Sequence, residues 1–230
     1  MKRSVFLGLA AAVICGMSGL AARASSITYS IADPNSAISG YTGPYGSVAV
    51  TLVDSTHATF DYVAATPKFF FVDGSSVDAN INATSFTVSN LVGTNSVFAG
   101  PSDSPTLDSA GVVSTFGTFN LVVKEKDAST ADWTSEVTFT VTNTSGTWAS
   151  PSDVLKLNDQ NYYVAAHIAV YTGTGTPTSS SSAAVTGYAG DKGTPILTSA
   201  VPLPAAVWSG MAMLGGLGAF AKLRKRSKLA

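Results

Sequence analysis

Carboxylates are the groups whose type and spacing in this chain come nearest to chemistry. Asp73 and Asp78 flank a Gly-Ser-Ser-Val stretch, and Asp103 and Asp108 flank Ser-Pro-Thr-Leu. Asp153 and Asp159 bracket Leu155, while Glu125, Asp127 and Asp132 gather around Lys124 and Lys126. Two carboxyls about 5–10 Å apart, one with a raised pKa, are what glycoside hydrolysis requires. The same oxygens in loops are hard ligands for calcium, so Asp73, Ser75 and Asp78, or Asn158, Asp159 and Asn161, form candidate sets. Neither set has the loop spacing of an EF-hand. All these acids stand in turn-like sequence, where a solvated carboxylate is the default.

Nucleophilic and metal chemistry find less support. The two histidines, His57 and His167, lie within β-like runs and read as sheet residues. Serines and aspartates are plentiful, but G-x-S-x-G, H-E-x-x-H, C-x-x-C and the G-x-x-x-x-G-K-[ST] phosphate loop are all missing. The chain therefore reads as a non-enzyme, without a catalytic residue, a metal or a cofactor, and with calcium as the one ion its acids would suit. A further set of groups could face a ligand. Tyr41, Tyr45, Trp133, Trp148, Tyr162, Tyr163, Tyr171 and Tyr188 stand in or beside turns, often near Asp or Asn. Flat rings with polar neighbours suit sugar surfaces, whereas the competing reading has them closing the ends of a hydrophobic core.

The elements that must carry these residues are β-strands. Val48–Val53 alternates apolar with small or polar residues, and Ala58–Val63 sets Phe60 and Tyr62 against Thr59 and Asp61. Lys68–Val72 contains three consecutive phenylalanines, the mark of a strand covered on both faces. Thr84–Ser89, Thr118–Lys124 (aligning Phe119, Leu121 and Val123), Glu136–Thr142 and Tyr163–Tyr171 complete the set. Short runs of this kind between Gly, Pro, Asn, Asp and Ser clusters predict an all-β fold, an antiparallel β-sandwich of the jelly-roll or Ig-like kind, over residues 25–171. Pro151–Leu157 allows one helical turn capped by Ser150. From 172 to 200 the chain is rich in Gly, Ser and Thr, and reads as a flexible stalk or loop, with a last strand through Pro195-Ile196-Leu197 as the alternative.

Charge narrows the partners. The span 25–200 holds all fourteen acids against five lysines, a formal charge of −9, and it contains no arginine. Nucleic-acid binding demands the reverse. That span likewise has no arginine fork to offer a phosphate.

The two ends read as addresses. Lys2 and Arg3 precede an apolar run from Ser4 to Leu20, and Ala22-Arg23-Ala24 has the form of a signal-peptidase site; residues 1–24 therefore read as a signal peptide. The only cysteine, Cys15, lies within that run, so residues 25–230 have no thiol. At the other end Val201-Pro202-Leu203-Pro204 is followed by an apolar stretch, Ala205 to Ala221, and then by Lys222, Arg224, Lys225, Arg226 and Lys228. Seventeen residues lie at the short limit for a membrane helix, and the basic cluster favours the cytoplasmic side. In this order, residues 201–230 resemble the PEP-CTERM sorting signal of Gram-negative bacteria, with Leu203 where the family name implies Glu. The resemblance implies an inner-membrane intermediate with a single C-terminal anchor helix. It also implies cleavage by an exosortase near Pro202–Pro204, and release toward the cell surface and exopolysaccharide. A carbohydrate- or calcium-dependent binding module, and more remotely a secreted hydrolase, are the alternatives for the exported domain.

Overall fold

Alternation of apolar and small or polar residues builds the first sheet. In β3 (Gly46–Leu52), β4 (His57–Ala64) and β13 (Glu136–Asn143), alternate residues are buried and those between are at least partly open to solvent. These strands pair antiparallel with β1 (Ser25–Ile31), β7 (Phe86–Thr94) and β16 (Ile196–Thr198) in the order β16-β1-β3-β4-β13-β7. The computed structural model describes residues 25–72, 75–94, 106–108, 110–124, 133–173, 183–191, 193 and 196–198. Ala22 and Ala24 of the signal-peptidase site lie outside these residues. So do the sorting motif Val201–Pro204, the apolar run and the basic residues Lys222, Arg224, Lys225, Arg226 and Lys228. Among the described residues no helix is long and apolar enough to cross a membrane.

The second sheet is built around β14 (Val164–Val170). The strand β15 (Val185–Asp191) runs along one side of it, and β5 (Phe69–Val72) and β6 (Ser75–Ala79) share the other. Beyond them β11 (Leu121–Lys124) pairs with β6 and with β8 (Thr106–Asp108), β12 (Trp133–Thr134) pairs with β5, and β2 (Asp33–Pro34) pairs with β15. Every pairing is antiparallel, and residues from both sheets meet in one apolar layer. The described residues thus form an antiparallel β-sandwich, the class expected from the strand pattern.

The layer is aromatic at its centre. Phe60 and Phe139 stack at 4.9 Å on neighbouring strands, and Tyr62 meets Phe71 of the opposite sheet edge-on at 6.3 Å. The Tyr62 hydroxyl crosses the core and donates to the Asp78 carbonyl at 2.8 Å, tying β4 to β6. All four residues of β5 are buried, with Phe69 and Phe71 in the layer and Phe70 edge-on to Trp133.

A second, smaller core lies on the other face of β11 and β14. Val113, Phe116, Phe119 and Tyr162 cover Val122 and Ala165 there. Val113 follows β9 (Gly111–Val112), Phe116 ends a 3-10 turn at Ser114–Phe116, Phe119 belongs to β10 (Thr118–Phe119), and Tyr162 comes from the connection before β14. Gly117, at φ 87°, makes the tight return between the turn and β10. The alternation predicts Phe119 on one face with Leu121 and Val123. Asn120 breaks that run: its amide donates to the Ile81 carbonyl and its oxygen accepts from the Ile81 amide, at 2.8 and 2.7 Å. The chain bends there, and Phe119 joins the second core while Leu121 and Val123 face the first.

The described residues beyond 183 depart from a stalk or loop, and Ile196–Thr198 forms a strand close to the alternative through Pro195-Ile196-Leu197. All seven residues of β15 pair with β14, and β16 pairs with β1 through Thr198, Leu197 and Ile196. Two glycines of β15, Gly187 and Gly190, serve close packing. A Cβ at Gly190 would stand 2.9 Å from the rings of Phe116 and Tyr162, so only glycine lets the second core close on the sheet.

Two measurements check this arrangement. Phe60→Ala should lower the unfolding free energy of the full chain by about 3–5 kcal/mol, and Thr138→Ala on the solvent side by less than about 0.5, in urea titrations. A chain ending at Tyr171, lacking β15 and β16, should lose the cooperative transition altogether; a stalk in that position would leave it unchanged.

Candidate functional site

Connections at the end of a sandwich are free to carry polar groups that its strands cannot. Two such connections meet here, Asn80–Ser85 after β6 and Thr144–Tyr163 after β13. Ile81 and Leu155, both buried, form a one-residue bridge that pins them together. Trp148, also buried, donates from Nε1 to the Asn82 carbonyl at 2.8 Å. The Asn82 amide donates to the Asp153 carbonyl at 2.9 Å, and Asn80 donates to the Lys156 carbonyl at 3.1 Å. Ser85 and Thr144 join through Oγ atoms 2.8 Å apart, and the Ser85 amide donates to Ser145 Oγ at 3.0 Å. Asp153 accepts from the Ser150 amide and hydroxyl at 2.9 and 2.8 Å, so Ser150 caps the 3-10 turn Pro151–Asp153 where the sequence placed a helical turn.

Between these loops opens a cleft of about 460 Å³. Asn82, Thr84, Asn143, Ser145, Thr147, Asp153 and Lys156 supply its polar wall, with Trp148, Ala83 and Ala149 between them. One carboxylate and one ammonium leave the lining formally neutral. The Asn143 carboxamide oxygen is engaged by the Ser145 amide and hydroxyl. Its nitrogen makes no hydrogen bond among the described residues, nor do Asn82 Oδ1, Asp153 Oδ1, the Thr84 and Thr147 hydroxyls or the Lys156 ammonium. None of these residues but Trp148 and Asp153 carried a sequence signal beyond loop composition; Asn, Ser, Thr and Gly mark turns and ligand walls alike.

Elsewhere the structure disperses the sequence candidates. Asp73, Asp103, Glu125, Lys126, Asp127 and Asp132 lie outside the described residues. Asp159 accepts from the Thr118 amide at 2.8 Å. The oxygen of Asn158 accepts from the Gln160 and Tyr162 amides, and its nitrogen donates to Phe116. Two members of the second calcium set are therefore committed to shaping a turn, in which Asn161 takes φ 66°. Among the described residues no three His, Cys, Asp or Glu side chains converge as a metal site would require.

His57 and His167 belong to the outer faces of opposite sheets, with the main core between them. His57 Nδ1 sits 2.9 Å from Asp54 Oδ2 in the β3–β4 hairpin. The Thr56 amide, the His57 ring and the Thr56 hydroxyl together hold the Asp54 carboxyl below the usual range. His167 stacks on Tyr188, its partner across β14 and β15, at 4.4 Å. The turn aromatics mostly close the core: Tyr45, Trp148 and Tyr162 are buried, and Tyr163 packs against Tyr29 at 5.1 Å. The Tyr162 hydroxyl donates to Asp33 at 2.6 Å; burial and that carboxylate push its pKa to about 12. Tyr41 lies beneath the Lys68 ammonium at 5.4 Å.

Asp78 is the outlier. In β6 it stands opposite Val122 and Ala165, which places its side chain on the face of the second core, while Val77 and Ala79 face the first. It is fully buried, and neither carboxyl oxygen has a hydrogen-bond partner; the Ser76 hydroxyl on the same face is equally buried and unpaired. Desolvation raises the Asp78 pKa well above the usual value, against an opposing pull from Lys124. Neither a scan of protein-family models nor searches of curated proteins and of solved structures find a match to this chain.

The Asp78 geometry has a measurable consequence. A carboxyl with a raised folded pKa keeps its proton in the folded chain after the unfolded chain has lost it. Its contribution is therefore full below the unfolded value near 4 and falls as pH rises toward the folded value. Asp78→Asn should match the parent chain in stability at pH 4 and exceed it increasingly above, by up to about 1.4 kcal/mol per pH unit until the folded group ionises. Urea unfolding from pH 4 to 8 measures this, and parallel curves would place the carboxyl in a polar, paired setting.

Proposed function

We propose that this chain is an exported bacterial surface or matrix protein without catalytic activity of its own, sorted by an exosortase that acts on its C-terminal segment. The observation that carries the reading is the order of three unlike parts in residues 201–230: Val201-Pro202-Leu203-Pro204, the apolar run Ala205–Ala221, and five bases within seven positions. Each part has a distinct physical role. In this proposal the prolines mark the cleavage site, the apolar run is the membrane stop, and the bases hold the end on the cytoplasmic side. The signal-peptide pattern ending at Ala24 directs the intervening domain outward. In this proposal the partners are signal peptidase, the exosortase and the membrane at first, and then exopolysaccharide.

Three further features support the reading. Without cysteine in residues 25–230 the exported domain must be stabilised by apolar burial, and this sandwich has two apolar cores. Its excess of acids suits solubility in an open medium. Its histidines stand on opposite faces, and Asp153 and Asp159 serve turns. For the winding we favour the jelly-roll kind over the Ig-like. The chain passes from one sheet directly into the other at Ile31–Asp33 and again at Thr134–Glu136, as strands do at the corners of a rolled sandwich.

Intact mass of the protein from fractionated native cells tests the proposal. A chain that starts at Ser25, ends between Val201 and Ala205 and is recovered outside the inner membrane is the expected result. A chain that keeps Lys222–Ala230 and stays in the inner membrane would refute exosortase processing and leave a tail-anchored protein.

A further inference from the structure

We propose that the cleft between the Asn80–Ser85 and Thr144–Lys156 connections binds an uncharged oligosaccharide. The inference deepens the surface-protein reading, since it names what the exported domain would hold, but it stands on the cleft's own chemistry. A volume of about 460 Å³ falls within the range of small-ligand sites. Most such sites are apolar walls with a few polar groups; here the proportions are reversed, so the ligand that fits is itself polar over most of its surface.

The unpaired atoms define its kind. The Asn143 carboxamide nitrogen and the Lys156 ammonium can only donate, and Asn82 Oδ1 and Asp153 Oδ1 can only accept. The Thr84 and Thr147 hydroxyls do both. A ligand answering this set needs groups that are donor and acceptor at once, closely spaced and without charge. Adjacent hydroxyls on a sugar ring are such groups. An anion would meet Asp153, a cation would meet Lys156, and neither charge is left over to attract it. The few apolar atoms of Ala83, Ala149 and Trp148 suit the C–H faces of a sugar ring.

The wall is also built in advance. Hydrogen bonds from Trp148 to Asn82, from Asn82 to Asp153 and from Asn80 to Lys156 fix the loops to each other before a ligand arrives. Preorganisation of this kind removes the ordering penalty that a flexible loop would impose on a weak ligand.

The test is titration calorimetry with the full chain in detergent micelles, using cellohexaose, maltohexaose, mannohexaose and laminarihexaose as probes. Trigalacturonate and tetra-alanine serve as the acidic and peptide comparators. Saturable one-to-one binding of at least one neutral hexasaccharide with Kd below about 1 mM, and tighter than either comparator, is expected. Gly146→Leu should weaken it at least about tenfold, the equivalent of one lost hydrogen bond. A side chain at 146 enters open space, its Cβ meeting nothing nearer than the Asn143 nitrogen at 3.7 Å, so the variant is expected to fold. Should it fail to, Thr147→Val combined with Lys156→Met alters two exposed groups that hold no other part of the fold, and the same loss is expected. No binding by any of the four sugars, tighter binding of a comparator, or sugar binding unchanged in the folded variants would overturn the assignment. Because processing is read from the termini and binding from the titration, either can fail without the other.

Discussion

The whole molecule depends on the contact between Tyr62 and the opposite sheet. The ring of Tyr62 lies within the aromatic layer, against Phe71 across the core and Phe139 beside it, and its hydroxyl reaches the carbonyl of Asp78. Residues 25–230 contain no cysteine, so cross-links cannot restrain the unfolded chain. Stability must come from burying large apolar surfaces, at roughly 25 cal/mol per Å², and aromatic side chains bury the most surface per residue. A sheet-to-sheet hydrogen bond inside that layer then fixes how the two sheets align, because a buried hydroxyl without a partner would cost about 1–3 kcal/mol. Tyr29 shows the other outcome: its hydroxyl is buried and unpaired, and burial raises its pKa.

A second consequence follows from covering the β14 sheet on both faces. Strands so enclosed normally read as unbroken apolar runs, and β5 does, as Phe69-Phe70-Phe71-Val72. Its continuation along β14, β6, reads Ser-Ser-Val-Asp-Ala. Val77 and Ala79 face the main core, while Ser76 and Asp78 are directed to the face that the 111–119 segment covers. The main sandwich alone would leave that face to water, where serine and aspartate belong. The second core takes them out of water without supplying partners. This conflict between local sequence and global burial sets Asp78 apart from the acids that cap turns.

How much of this was readable beforehand depends on periodicity. β3, β4 and β13 alternate so regularly that their buried faces follow from counting, and three phenylalanines in a row announced a doubly covered strand. Asn120 was unreadable, because its effect arises from a reciprocal pair of hydrogen bonds to Ile81, thirty-nine positions away in the chain. β15 was obscured by Gly187 and Gly190: glycine in a strand signals looseness when it stands alone, and here Gly187 marks where Asn35 and Ile38 press against the backbone and Gly190 where Phe116 and Tyr162 do. Composition reports such a residue's freedom but not the neighbour that uses it. The cleft was hidden for a related reason. Asn, Ser, Thr and Gly between strands are what any turn requires, and only the meeting of two turns far apart in sequence turns them into a wall.

That meeting also explains why Trp148 is not an exposed platform. Its indole is buried beside the Asn82–Asp153 pair and its nitrogen donates to Asn82. Two loops rich in small polar residues cannot hold each other by apolar area, and their own hydrogen bonds compete with water. A tryptophan placed between them supplies both things missing: a large apolar body to exclude water, and one donor to set the register. The polar residues around it are then tied to each other by hydrogen bonds between the loops, and they line the cleft. The ring works from beneath the surface, giving shape to the hydrogen-bonding groups above it.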